Sequence, residues 1–193
     1  MKAVKILVIG SLNMDLVVTT PRIPEEGETL IGTNFQRFFG GKGANQAVSA
    51  ARLGASVTML GRVGYDTFGA EQLENLQFDG IDTRYISQDP HFPSGVAVIA
   101  LEAEGKNRII IIPGANGALS TQDIDVAERA MKKADMILLQ LEIPLPIVEY
   151  AVKKAADMGK KVILNPAPAQ ELSDHLYPCI SVLTPNESEA LRL

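Results

Sequence analysis

"VKILVIGSLNMD", residues 4–15, decides the fold. From Val4 to Ile9 the run is apolar and β-rich except for Lys5, and Gly10 closes it. A strand with one wet face alternates apolar and polar residues; a nearly unbroken run reads as a strand covered on both faces. "ASVTMLGRVG" (55–64), "ADMILLQLE" (134–142), "KKVILNPA" (160–167) and "CISVLTPN" (179–186) repeat the pattern. Helical stretches separate them. "GANQAVSAARLG" (43–54) puts Ala44, Ala47, Val48 and Ala51 on one stripe and stops at Gly54. "STQDIDVAERAMKKA" (120–134) opens on a Ser/Thr cap, with acids early and lysines late, which suits one helix and its dipole. "PLPIVEYAVKKAADMG" (144–159) opens with prolines and closes on Gly159. Strands alternating with helices predict an α/β fold: a Rossmann-like, doubly wound, mainly parallel sheet with helices on both faces.

Two segments break the alternation. Residues 16–39 read as two strands around a Pro/Gly turn, and residues 95–112 as a hairpin turning at "EGKN". Together they predict a small β-sheet lid beside the core. Composition excludes several functions. The 193 residues carry a net charge of −5 and no basic run, so no nucleic-acid footprint is visible. No apolar run approaches a bilayer span, and the N-terminal run ends in Asn13 and Asp15 rather than a cleavage site. A single cysteine, Cys179, allows no internal disulfide and reads as a buried bystander in a reducing cytoplasm. His91 and His175 have no His or Cys at ligand spacing, so neither is assigned to a metal.

Four stretches carry candidate chemistry. "FFGGKGANQAV" (38–48) suggests a phosphate cradle but fails both phosphate motifs: Gly43 follows Lys42 where a P-loop needs Ser or Thr, and Gln46 stands where a dinucleotide fingerprint needs glycine. What remains is a close backbone approach at Gly40 and Gly41, with Lys42 and Asn45 three apart on one helical side and Ser49 and Arg52 beyond them. A helix with a glycine-rich start and a solvated polar face explains the same letters. "GSLNMD" (10–15) follows the first strand, where open α/β sheets bind ligands. In extended chain Asn13 and Asp15 point to one side, and an amide beside a carboxylate suits neighbouring sugar hydroxyls. An ordinary polar strand exit is the alternative. Glu142 ends another predicted strand, facing the same crevice or capping the next helix. In "TPNESE" (184–189), Asn186 and Glu189 stand three apart at a helix start, which is also the spacing of a plain capping box. "VGYDTFGAE" (63–71) reads as a turn capped by Asp66, and the prolines of "NPAPA" (165–169) as a rigid loop.

"GSLNMD", "FGGKGANQAV", "GRVGYDTFG", "PGAN" (113–116), "QLE", "NPAPA" and "TPNESE" occur in this order from end to end. The set resembles the PfkB-type, ribokinase-like carbohydrate kinases over the whole chain from Lys5. The resemblance implies transfer of a phosphoryl group from ATP, with Mg2+, to a sugar hydroxyl, D-ribose to D-ribose 5-phosphate being favoured by "NMD" with "GGKGANQA". It implies that Asn13, Asp15, Gly40, Gly41, Lys42, Asn45 and Glu142 hold the sugar. Asn186 and Glu189 would lie near the nucleotide phosphates, with Glu189 near Mg2+ through water. It also implies a homodimer through the lid, and leaves a monovalent cation such as K+ open. One departure is large. The family places its catalytic aspartate in a later G-x-G-D motif, and no such motif occurs here; at the nearest lead-in, "DTFGAE", Glu71 and Gln72 replace Gly-Asp. The expectation is therefore the N-terminal part of one kinase domain, residues 1–193, lacking the nucleotide-binding part and inactive alone. Kinases of fructose, adenosine or a ketodeoxysugar share the scaffold and are the alternatives within the family. A non-catalytic sugar-binding module is the alternative of another class. A nicotinamide-dependent oxidoreductase lacks its glycine fingerprint here.

Overall fold

The computed structural model describes residues 3–102 and 104–193. Met1 and Lys2, at the head of the N-terminal run, and Ala103, inside the predicted lid segment 95–112, lie outside the described residues. Along the chain the elements are β1 (Lys5–Ile9), β2 (Asn13–Thr20), β3 (Asn34–Gly40), α1 (Lys42–Arg52), β4 (Ser56–Gly64) and α2 (Thr67–Phe78). Then follow β5 (Asp82–Asp89), β6 (Gly95–Glu102), β7 (Asn107–Ile112), a 3-10 turn at Gly114–Ala118, α3 (Thr121–Val126) and α4 (Glu128–Lys133). The last are β8 (Met136–Leu139), α5 (Leu145–Asp157), β9 (Lys161–Leu164), a 3-10 turn at Tyr177–Cys179, β10 (Val182–Leu183) and α6 (Glu187–Ala190).

A six-stranded parallel sheet runs in the order β10-β9-β8-β1-β4-β5. The nearly continuous apolar run of β1 has its expected cause. Leu7 and Ile9 join a core with Ile137, Leu139, Val148 and Val152 on one face, while Val8 joins Val57, Met59, Ala47 and Leu76 on the other. All of these side chains are at most 4% exposed. From β1 the chain winds outward to β4 and β5, then returns to add β8, β9 and β10 on the other side. The topological switch point therefore lies between β1 and β8, whose carboxyl ends bound a ligand crevice in open sheets of this kind.

The lid is a second sheet, ordered β3-β2-β6-β7. Its first segment begins at Asn13, not at residue 16, so Asn13 and Asp15 belong to lid strand β2 rather than to a loop leaving the core. Their period-two alignment holds: Asn13 pairs with Gly40 and Asp15 with Phe38 on one face of the lid. The hairpin of β6 and β7 turns at Gly105, at φ +82°.

Three expectations are corrected. "STQDIDVAERAMKKA" forms two short helices, α3 and α4, meeting at Ala127; no glycine or proline marks the break. Helix α2 and strand β5 were not expected, because "DTRYISQD" is polar and alternates weakly, as a strand at the sheet edge can afford to do. Cys179 is half-buried, not buried. Asp66 does cap α2, accepting from the Gly69 amide at 2.8 Å.

Candidate functional site

Glu142 follows β8 and Ser11 follows β1, so the two meet across the switch point. Ser11 Oγ donates to Glu142 Oε2 at 2.6 Å. The same carboxylate oxygen accepts the Lys42 amide at 3.0 Å, at the first turn of α1. An anion there satisfies an otherwise unpaired N–H and faces the positive end of the helix. Lys42 Nζ lies 3.8 Å from Glu142 Oε1, with the carboxylate side chain 8% exposed and the lysine 39%. Glu142 is thus neither a rim charge nor a cap of α5; it is the cross-brace between β1, β8 and α1.

Glycines let α1 approach this closely. Gly41, the N-cap, has φ +89°, and a Cβ there would stand 2.8 Å from the Ser11 carbonyl oxygen and 2.9 Å from Leu12 Cα. A Cβ at Gly43 would stand 2.6 Å from the Ser11 amide nitrogen. A Cβ at Gly40 would collide with the Asp15 carboxylate. Gly40 and Gly41 therefore act first by letting Asp15 and the Ser11–Asn13 backbone lie against the start of α1.

Asp15 stands half-buried above this brace. Burial pushes its carboxyl up from the ordinary range, the neighbouring Glu142 charge pushes it further, and Lys42 pulls it back. Asn13, 3% exposed, is held by Asn116, whose Nδ2 donates to Asn13 Oδ1 at 2.8 Å. Asn13, Asn116 and Glu142 line one cleft of about 360 Å³ with Ile111, Leu141 and Pro168. A cleft with apolar walls and a few convergent polar groups is the usual form of a small-molecule site. The rigid loop read from "NPAPA" borders it: the Leu141 amide donates to the Ala167 carbonyl at 3.0 Å.

Asn45, Asn186 and Glu189 do not line this cleft. Asn45 is exposed on α1, and its side chain makes no hydrogen bond among the described residues. Ser49 turns back onto the Asn45 carbonyl at 2.8 Å, and Arg52 pairs with Asp79 at 3.0 Å, so neither extends the site. Asn186 and Glu189 form a reciprocal capping box at α6: the Asn186 amide donates to Glu189 Oε2 at 2.8 Å, and the Glu189 amide donates to Asn186 Oδ1 at 2.8 Å. They follow β10, two strands from Glu142, at the same end of the sheet. Among the described residues no group of three His, Cys, Asp or Glu side chains forms a metal cluster.

Sequence reasoning missed three buried polar residues. Ser11 is fully buried, and its role depends on Glu142, 131 positions away. Gln72 donates to the Asn13 carbonyl and, at 3.3 Å, to the Gly40 carbonyl, joining the two lid strands where they leave the core. Asn116 grips Leu12 as well as Asn13. Only the places of Ser11 inside "GSLNMD" and of Asn116 inside "PGAN" hinted at importance, with no chemistry attached; Gln72 lies in neither motif.

The family model described as "pfkB family carbohydrate kinase" matches residues 3–193. The chain belongs to that family. It is 47% identical to ribokinase of Bacillus subtilis over 96% of this chain and 63% of that protein. It is 46% identical to deoxyribokinase of Salmonella typhi over 95% of this chain and 60% of that protein. Among solved structures, Arabidopsis thaliana ribokinase complexed with ribose and ATP superposes with a TM-score of 0.89 at 35% identity, covering 100% of this chain and 63% of that one. The chain thus spans about three fifths of the length of each of these three proteins. No helix among the described residues is long and apolar enough to cross a membrane.

Proposed function

We propose that these residues form the sugar-binding half of an ATP-dependent carbohydrate kinase, with D-ribose as substrate and D-ribose 5-phosphate as product. The observation that carries the reading is that Asn13 and Glu142 line one cleft at the switch point, while Lys42 pairs with Glu142 at 3.8 Å and Asp15 stands close enough to feel both charges. Asp15 accepts from sugar hydroxyls, Asn13 and Lys42 donate to them, and Gly40 and Gly41 keep the approach open. Asn45 completes the set from the exposed side of α1. Ile111 and Leu141 give the sugar's carbon face an apolar wall. In the reaction the 5-hydroxyl oxygen bonds the γ-phosphorus of ATP, ADP leaves, and the proton passes to the base that the family carries in its G-x-G-D motif. That base is not among these 193 residues.

ATP and Mg2+ would lie toward α6. Glu189 already accepts two bonds from Asn186 and remains partly exposed, which suits an outer contact to a hydrated Mg2+ rather than direct ligation. Mg2+ would supply charge neutralisation at the phosphates. Residues 1–193 are read as one continuous part of the kinase domain, with lid segments 13–40 and 95–112.

A homodimer through the lid belongs to the same proposal. The lid leaves Phe35, Phe38, Ile109, Ile110 and Ile111 between 44% and 66% exposed, on both faces of one sheet. Exposed apolar area of this kind marks an interaction surface. A second substrate also has specific support: the deoxyribokinase relative is as similar as the ribokinase ones, so 2-deoxyribose is the named alternative.

Lys42→Ala in the full gene product tests the assignment of this site. Removal of a charged donor is expected to raise the sugar KM by about tenfold or more and leave the ATP KM within about twofold. The reverse split, with ATP affected and sugar not, would return Lys42 to a phosphate role.

A further inference from the structure

Asn116 sits in the 3-10 turn directly after lid strand β7 and is 1% exposed. Its amide closes a two-bond ring on Leu12: Oδ1 accepts the Leu12 amide at 2.9 Å, and Nδ2 donates to the Leu12 carbonyl at 3.0 Å. A backbone N–H can only donate and a carbonyl can only accept, so the Asn116 amide has one permitted orientation. The second Nδ2 hydrogen goes to Asn13 Oδ1 at 2.8 Å. That bond in turn orients Asn13. Its oxygen is committed to Asn116, and its Nδ2 is left facing away. Among the described residues Asn13 Nδ2 donates to no protein group, and it is not one of the sealed polar atoms lacking a partner, so it opens to the cleft that Asn13 lines. Gly95 keeps the space for this arrangement, since a Cβ there would collide with both Asn116 Nδ2 and Asn13 Oδ1.

We infer that Asn116 is a positioning residue that fixes Asn13 as a donor, so that the site selects a ligand with a hydroxyl oxygen accepting from Asn13 beside a hydroxyl donating to Asp15. The inference rests on the sugar-site reading above and adds the polarity of each contact. Without Asn116, the Asn13 amide can turn over and offer its oxygen to the same hydroxyl. A sugar lacking the hydroxyl at that position gains nothing from the orientation.

Asn116→Asp is the sharpest probe. It keeps the shape and the Leu12 amide bond but replaces the donor with an oxygen, which invites the Asn13 amide to turn over. In the full gene product, the KM values for ribose and ATP are measured for Asn116→Asp, Asn13→Ala and the double variant. Each single change is expected to raise the ribose KM about tenfold with the ATP KM within about twofold, and the double variant to be no worse than Asn13→Ala. A residue that merely supported the fold would not give that non-additivity. Losses that multiply to about a hundredfold, or an unchanged ribose KM in Asn116→Asp, overturn the inference. If thermal unfolding shows that Asn116→Asp does not fold, Gly95→Ala attacks the same bond from the other side and enters the same cycle with the same expected outcomes. A wild-type protein that phosphorylates no sugar defeats the sugar-site reading itself, whereas turnover of ribose with multiplying losses defeats only the role of Asn116.

Discussion

Asp15 shows how one residue sets both function and cost. Its carboxyl is raised mainly by burial, then by Glu142, and lowered by Lys42. In the proposed role the ionised form accepts from sugar hydroxyls, so sugar binding would be complete above the raised pKa and fail as pH falls through it. The acid limb of 1/KM for sugar is therefore expected above the ordinary aspartate value, moving down in Glu142→Gln and up in Lys42→Ala, by kinetics from pH 4 to 8. For stability the sign is opposite. A carboxyl raised above its unfolded value stabilises the native state at low pH, and that contribution is lost as pH rises through the folded pKa. Asp15→Asn is accordingly expected to raise Tm at pH 7 while removing sugar turnover; a lower Tm would contradict the desolvation argument. At this scale the sequence was half legible. Asn13 and Asp15 were readable because alternation in a strand is a local rule, and Glu142 because it ends an apolar run. Ser11, Gln72 and Asn116 were not, because their partners stand 32 to 131 positions away and nothing local announces a buried hydroxyl or amide.

At the scale of elements, α1 shows packing overruling propensity. Gly43 is the second residue of α1, and replacing glycine with alanine in a helix normally gains up to about 1 kcal/mol. Here the added Cβ would stand 2.6 Å from the Ser11 amide nitrogen and 2.7 Å from the Gly10 carbonyl carbon, both rigid backbone. Gly43→Ala is thus expected to destabilise by about 1–3 kcal/mol, the usual cost of overpacking, and to weaken sugar binding by pushing α1 off Glu142. Chemical denaturation gives the sign directly: a stabilised variant would mean that α1 does not sit this close. The apolar strands and the α1 and α5 stripes were legible because burial imposes period and length. The α3–α4 break and β5 were not. Ala127 carries no breaker signal, and an edge strand needs few apolar residues to hold its place.

Over the whole molecule, the doubly wound order explains why distant motifs meet. Winding outward from β1 and then back to β8 brings the ends of those two strands side by side, and the lid grows from the first of them. Fold class and lid were legible as a pattern of runs; the switch point was not, because strand order is decided by helix packing rather than by any one segment. The lid's exposed isoleucines and phenylalanines also belong to this scale. Ile109→Lys and Ile110→Lys made together place charge on both lid faces and are expected to convert a dimer to a monomer in sedimentation velocity; a wild type that is already monomeric contradicts the lid interface. The central claim concerns the substrate that this arrangement receives. It is tested most directly by ADP release from the full gene product, supplied with ATP and Mg2+, across ribose, 2-deoxyribose, fructose and adenosine. The expected result is the highest kcat/KM for ribose, with 2-deoxyribose next. Ribose far below fructose or adenosine would contradict it.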